Sequence, residues 1–225
     1  MTSSDSKKRD YFSIEVNKSV VSYDNAEKSV KQSIVDFIYF PLRALLPYKW
    51  VQILHLTDLG RERRIAAIPY LRGLILDVGC GPINQVKKEY SGSTITCDVY
   101  NWGNLDTVCS AENLAFKDHS FDSVLMLACL NHFSDKSKAL SEAYRVLKPG
   151  GRLILTMTSK FVGTIVHLAV SWFDYDHVRG MDSNEEFGLS KKTIVKYFKD
   201  SGFKLLIDKG FVYNLNRVYV ARKNG

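Results

Sequence analysis

Leu74-Ile75-Leu76-Asp77-Val78-Gly79-Cys80-Gly81-Pro82 decides the fold of this chain. A short apolar run reaches Asp77, and two glycines then follow with one residue between them. The pattern predicts a buried parallel strand that stops at its carboxyl end and turns sharply. Glycine permits backbone conformations that a side chain blocks, and it lets a ligand lie against the main chain. In open α/β sheets ligands sit outside the carboxyl ends of strands, where strand order reverses.

The surrounding residues narrow the ligand. A dinucleotide fingerprint, Gly-x-Gly-x-x-Gly, needs a third glycine where this chain has Asn84. A phosphate-cradling loop needs Gly-Lys-Ser/Thr, and no such sequence follows Gly81. A Gly-x-Gly turn preceded by an acid suits a nucleoside with a charged amino-acid tail.

Further along, Ser93-Thr94-Ile95-Thr96-Cys97 reads as a second strand with Asp98 at its tip. An acid about 20 residues beyond the glycines is placed to accept from ribose hydroxyls. Ser123 to Cys129 is an apolar run short enough for a strand, and Leu130-Asn131-His132-Phe133 follows it. Lys138 to Leu147 reads as a helix, with Leu140, Ala143, Tyr144 and Leu147 as its buried stripe. Lys148-Pro149-Gly150-Gly151 is its terminator, and Arg152 to Thr156 is strand five. Ser190 is a good N-cap for a helix over Lys191 to Ser201. Two strands, over 202–207 and 211–221, finish the sheet.

Leu76-Asp77-Val78-Gly79-Cys80-Gly81-Pro82 resembles the first motif of class I S-adenosylmethionine-dependent methyltransferases of the small-molecule, UbiE-like type. The last glycine of the usual pattern is replaced by Ile83. Ser110-Ala111-Glu112-Asn113-Leu114-Ala115-Phe116, Ser120-Phe121-Asp122-Ser123-Val124 and Ala143-Tyr144-Arg145-Val146-Leu147-Lys148-Pro149-Gly150-Gly151 are similar to later motifs of that family, in the same order. The resemblance implies a Rossmann-like, doubly wound α/β fold, with a seven-stranded, mostly parallel sheet and one antiparallel strand. It implies S-adenosylmethionine as cofactor, held by Asp77, Gly79, Cys80, Gly81, Asp98, Ala111, Glu112 and Cys129. In the family the adenine lies beside the Ala-Glu dipeptide. For the Glu112 side chain, adenine binding and capping of the following turn both stay open.

The 225 residues suit one domain with a sizeable core, and 45% apolar content fits a globular protein. Residues 1–72 are expected to form a helical cap within that domain. Residues 73–225 form the cofactor-binding core, with a substrate insertion over 159–190. No stretch approaches the roughly 18–20 uncharged apolar residues of a spanning helix. The polar amino terminus lacks a signal core, so a cytoplasmic location is expected. Cysteines 80, 97, 109 and 129 lack metal-ligand spacing and fall in or beside strands, so they read as core residues in a reducing compartment, and no metal is expected. The net charge of +7 is spread without a dense basic run, which makes nucleic acid an unfavoured partner.

Substrate choice must come from outside the cofactor half. Residues 24–72 read as two or three short helices over the open end of the sheet, either plain packing or a greasy lid with peripheral membrane contact. The insertion gathers Asp176, His177 and Arg179, with Asp176 and Arg179 as substrate-contact candidates. His132 is the first candidate base, because histidine changes charge near neutral pH, and His177 is the second. The expected partner is a small amphipathic methyl acceptor, lipid-linked, quinone-like or a sugar, methylated on oxygen or carbon. RNA methylation and cofactor binding without turnover are the alternatives.

Overall fold

The computed structural model describes residues 30–39, 48–54, 56–82, 84–160, 186 and 188–224. Three helices come first: α1 (Val30–Ile38), α2 (Tyr48–Ile53) and α3 (Leu59–Ala67). After them run β1 (Ile75–Val78), α4 (Gln85–Glu89), β2 (Thr94–Asp98), β3 (Thr107–Val108), β4 (Phe121–Leu127) and α5 (Lys136–Val146). The chain closes with β5 (Leu147–Thr158), α6 (Lys191–Asp200), β6 (Phe203–Phe211) and β7 (Asn216–Lys223).

The strands form one seven-stranded sheet in the order β3-β2-β1-β4-β5-β7-β6. β7 runs antiparallel to both β5 and β6, and the other pairings are parallel. The expected single reversed strand is therefore β7. Register places Leu76 between Ile95 and Val124. Strand order reverses at β1, whose neighbours are β2 and β4.

Alternate side chains feed two cores, as strand geometry requires. On one face Leu76, Val124, Met126, Leu153 and Leu155 pack with Leu140 and Ala143 of α5 and with Ile194 and Phe198 of α6. On the other, Ile75, Leu125, Ile154, Val218 and Val220 pack with Ala67, Ile68, Leu71, Val86 and Tyr90. The helix starts are fixed by side-chain caps: Asp58 accepts from Arg61 N, Asp135 from Lys138 N and Ser190 from Thr193 N.

Several boundaries shift from the sequence expectation. α5 covers 136–146, so Leu147 and Lys148-Pro149-Gly150-Gly151 belong to β5 rather than to a helix stop and turn. The reason is strand pairing. Leu147 sits opposite Phe121, and the register slips before Arg152 pairs with Ser123. The glycines absorb that irregularity, and Gly150 has φ +74°. Lys223 stops the helix from across the sheet, its ammonium donating to Tyr144 O at 2.6 Å and Leu147 O at 2.8 Å. β4 ends at Leu127, which leaves Cys129 beyond the strand, at the start of a 3₁₀ turn over Leu130–His132.

α1 and α2 carry outward apolar faces at helical spacing. Ile34, Phe37 and Ile38 are exposed on α1, and Trp50, Ile53 and Leu54 on the end of α2 and just past it. Asp36, on the buried side of α1, accepts from Thr57 N. Among the described residues no helix is long and apolar enough to cross a membrane.

Candidate functional site

At the carboxyl ends of β1, β2 and β4 the chain leaves a cleft of about 420 Å³. Gly79, Gly81 and Pro82 form one wall, and Asp98, Val99 and Trp102 lie on a second. The segment 109–112 and residues 127–129 and 132–134 complete it. A smaller cavity of about 170 Å³ adjoins it and shares Gly79, Pro82 and Leu127; Asp77, Arg64 and Asn84 also border it.

The glycine loop is pinned from below and from the side. Gly79 N donates to Cys97 O at 2.9 Å. Gly81 N donates to Asp98 Oδ2 at 3.0 Å, so the acid at the tip of β2 organises the loop directly. Its other oxygen accepts from Tyr100 N at 3.1 Å. Gly79 has φ +67°, and a Cβ there would lie 2.8 Å from Cys129 Cβ. Gly81 also has positive φ, but a Cβ there would enter open space, so its backbone is free for a ligand to approach. Asn84 takes φ +51°, in the left-handed region that asparagine tolerates better than most residues. It therefore supplies the conformational permission of a glycine, and it adds a bond: its amide donates to Asn104 O at 2.8 Å while Asn104 donates to Pro82 O at 3.0 Å. This pair locks the loop to the β2–β3 connection.

Asp77 is 2% exposed. Burial, reinforced by the nearby Asp98 carboxylate, pushes its pKa up to about 7. A carboxylate so placed is poised to receive a cationic group. Cys129 lies beside it, and its thiol donates to Val78 O at 3.2 Å.

Ala111 and Glu112 line the cleft. Glu112 Oε1, however, accepts from Asp135 N at 2.8 Å, which ties this side chain to the entry of α5. That oxygen is thus engaged at the start of α5 rather than at the turn that follows Glu112. His132 also borders the cleft, and its Nε2 lies 3.0 Å from Asn131 Nδ2. Asn131 Nδ2 donates to Glu186 O at 2.9 Å, and Glu186 N donates back to Asn131 O, which anchors the far end of the 159–190 segment beneath the histidine. Asp176, His177 and Arg179 lie outside the described residues, as does Ile83.

Two further residues escape the sequence reading: one borders the cleft, and the other, Arg63, lies outside the lining of both cavities. Trp102 borders the cleft, and its indole N–H is buried with no acceptor among the described residues. Its ring sits 4.6 Å from that of Tyr100. The Tyr100-x-Trp102 pair directly after the strand-end acid was the available signal. The second is Arg63 on α3. Its Nη2 donates to Thr158 Oγ1 at 3.0 Å, and Thr158 donates to Asn216 at 2.9 Å. Its Nε is buried without a partner among the described residues. Burial lowers its pKa, opposed by Asp58 and Cys129. Nothing in the local sequence distinguished Arg63 from the other arginines of α3.

The geometry passes a test for a nucleoside with an amino-acid tail. It offers an open glycine backbone, a strand-end acid, an aromatic wall at Trp102 and a buried acid beside a small side cavity. Among the described residues no cluster of His, Cys, Asp or Glu could hold a metal ion, and the four cysteines are free thiols.

Comparison with known proteins points the same way. Residues 76–155 match the model of a family described as a methyltransferase domain. The chain is 36% identical over 93 residues to "Probable tRNA methyltransferase 9B" of Homo sapiens, a match covering 36% of this chain and 20% of that protein. It is 33% identical over 134 residues to the ubiquinone/menaquinone biosynthesis C-methyltransferase UbiE of Haemophilus ducreyi, covering 55% of this chain and 52% of that protein. The chain thus spans between a fifth and about half of the length of these relatives. Among solved structures, an S-adenosylmethionine-dependent methyltransferase of Thermotoga maritima, described as a possible histamine N-methyltransferase, superposes with a TM-score of 0.58 at 19% identity. That alignment covers 86% of this chain and 98% of the other, and at this identity it speaks to the fold.

Proposed function

We propose that this chain, whose core is a class I S-adenosylmethionine-dependent methyltransferase domain, transfers a methyl group to an oxygen or carbon nucleophile of a small amphipathic acceptor. The observation that carries the donor half is the cleft at the β1 strand reversal, where Asp77, the Gly79–Gly81 turn and Asp98 converge. Bound S-adenosylmethionine would supply an electrophilic methyl on a positively charged sulfur. Asp98 would accept from the ribose hydroxyls, and the Ala111 backbone and Trp102 would border the adenine. Cys80, Gly81 and Cys129 would shape the walls around the sulfonium. The side cavity is bordered by Asp77 and by Arg64, whose Nε pairs with Glu89 at 2.7 Å; the tail ammonium would meet the acid and the tail carboxylate the remaining face of the guanidinium.

The work left to the protein is positioning the acceptor in line with the methyl–sulfur bond. His132 would take a proton from an acceptor hydroxyl or acidic carbon, its ring held by the contact with Asn131. His177, Asp176 and Arg179 of the insertion would contact the acceptor. Arg63, a buried cation at the carboxyl end of β5, favours an acceptor with a negatively polarised oxygen. The exposed apolar faces of α1 and α2 support an amphipathic acceptor met at a membrane surface. The whole chain then works as one domain, with 1–72 as cap, 73–225 as core and 159–190 as substrate insertion, in the cytoplasm.

The test is incubation with methyl-labelled S-adenosylmethionine and cell extract separated into lipid, RNA, protein and small polar pools. Label in the lipid or small-molecule pool supports the proposal. Label confined to RNA replaces it with the RNA methyltransferase reading, and donor binding without label in any pool replaces it with a binding protein.

A further inference from the structure

The end of the sheet remote from the cleft carries a lateral row of cations. Arg152 of β5 sits opposite Arg222 of β7, and Arg222 sits opposite Lys204 of β6. On the other side Arg152 pairs in register with Ser123 of β4. Ser123 Oγ accepts from Arg72 N at 3.0 Å and donates to Arg72 O at 2.9 Å, which fixes Arg72 at the same level. Residues in lateral register share a face of the sheet, so Arg152, Arg222 and Lys204 are set side by side, and Arg72, in the loop before β1, lies close enough for its charge to act on Arg152 and for that of Arg222 to act on it.

Like charges directly opposite across a strand pair are destabilising, and among the described residues the row has only a partial offset, the Asp122 charge acting on Arg72. Among the described residues, none of Arg72, Arg152, Arg222 and Lys204 makes an ion pair. The nearby carboxylate, Asp122, is committed to Leu74 N at 2.9 Å and to Lys148 at 2.9 Å. Arg152 is the most constrained of the four. It is 7% exposed, donates one long bond of 3.4 Å to Tyr70 O, and keeps its Nε buried with no acceptor. Burial, with Arg72 and Arg222 adding to it, lowers its pKa to about 10. A buried guanidinium without a counter-charge is costly; a row of them describes half of an ion pair.

We infer that this row is an anion site for a phosphate-bearing group, with Arg152 at its floor and Arg72, Arg222 and Lys204 at its rim. Phosphate fits better than carboxylate because its charge approaches −2 and its several oxygens can engage more than one guanidinium fork. The site is separate from the methyl-donor cleft and does not depend on its assignment. The phosphate could be that of a soluble phosphoester or of a lipid headgroup, and the chemistry recognised is the same.

Inorganic pyrophosphate is the probe, titrated into the full chain by calorimetry and thermal shift, with sodium chloride at matched ionic strength as control. The wild-type protein should bind it and gain thermal stability beyond the salt control. Arg222→Gln, an exposed change, should weaken binding by about ten-fold, the loss of one charge-assisted contact, and Arg152→Gln should abolish it. Both variants should bind S-adenosylhomocysteine as the parent does. Flotation with phosphatidic acid vesicles that is lost in Arg222→Gln identifies a lipid headgroup; pyrophosphate binding without flotation identifies a soluble phosphoester. No pyrophosphate effect in the wild type, or an equal effect in both variants, overturns the inference.

Discussion

Asp77→Asn replaces a buried acid by its neutral isostere and isolates what that charge does. In the free protein the carboxyl has a pKa near 7, against an ordinary 3.8, because it is buried beside Asp98. A raised folded-state value means that the fold prefers the protonated acid. Its contribution to stability is fully present below about pH 4 and is lost as pH rises towards 7. The shift of about three units corresponds to a loss of about 4 kcal/mol, taken as an upper figure. The asparagine variant should lose nothing over that window, so it should match the parent near pH 4 and exceed it in urea-unfolding stability at pH 8. Binding should behave in the opposite sense. If the tail ammonium of the cofactor pairs with ionised Asp77, binding below pH 7 must first remove a proton. S-adenosylhomocysteine affinity should then fall by about ten-fold between pH 8 and pH 6 in the parent. In Asp77→Asn it should be weak and flat across that range. Calorimetric titration at the two pH values decides it. Equal affinity at both, or a variant that binds like the parent at pH 8, would refute the assignment of Asp77 to a cationic group.

Asp98→Ala removes the acceptor for Gly81 N along with the proposed ribose contact. Two charge-assisted bonds of about 1.5–3 kcal/mol each imply at least a hundred-fold loss of S-adenosylhomocysteine affinity by calorimetry; a loss below ten-fold would contradict the placement. Gly79→Ala forces a methyl to within 2.8 Å of Cys129 Cβ at a positive φ. It should reduce binding and lower the melting temperature together, whereas Gly81→Ala, facing open space, should reduce binding more than stability. Arg63→Met removes a buried cation whose desolvation outweighs the pull of Asp58 and Cys129, so thermal melting should stay level or rise while the KM for an acceptor drawn from the labelled pool increases. A clear fall in melting temperature would mark Arg63 as structural.

The parts of this protein that were legible in its sequence are those set by local chemistry. A buried β1 followed by glycines, β2 with Asp98 at its tip and the Ser190 cap of α6 each follow from a few adjacent residues, and all stand in the structure. What was not legible depends on residues brought together across the sheet. Lys148-Pro149-Gly150-Gly151 looks like a helix stop locally, but pairing of Leu147 with Phe121 draws it into β5. Asn84 looked like a departure from a glycine pattern until its left-handed backbone and its bond to Asn104 showed how it serves the same turn. Glu112 was ambiguous because its partner, Asp135 N, lies 23 residues away. The buried guanidinium of Arg63 and the row through Arg152 and Arg222 arise from helix placement and strand register, which no window of sequence contains.

The central claim is that the cleft between β1, β2 and β4 is a methyl-donor site, and direct titration of S-adenosylmethionine into the full chain tests it. The account predicts saturable binding of one molecule per chain, competed by S-adenosylhomocysteine and lost in Asp98→Ala. Absence of binding heat at high micromolar donor, or binding that survives in Asp98→Ala, would contradict it.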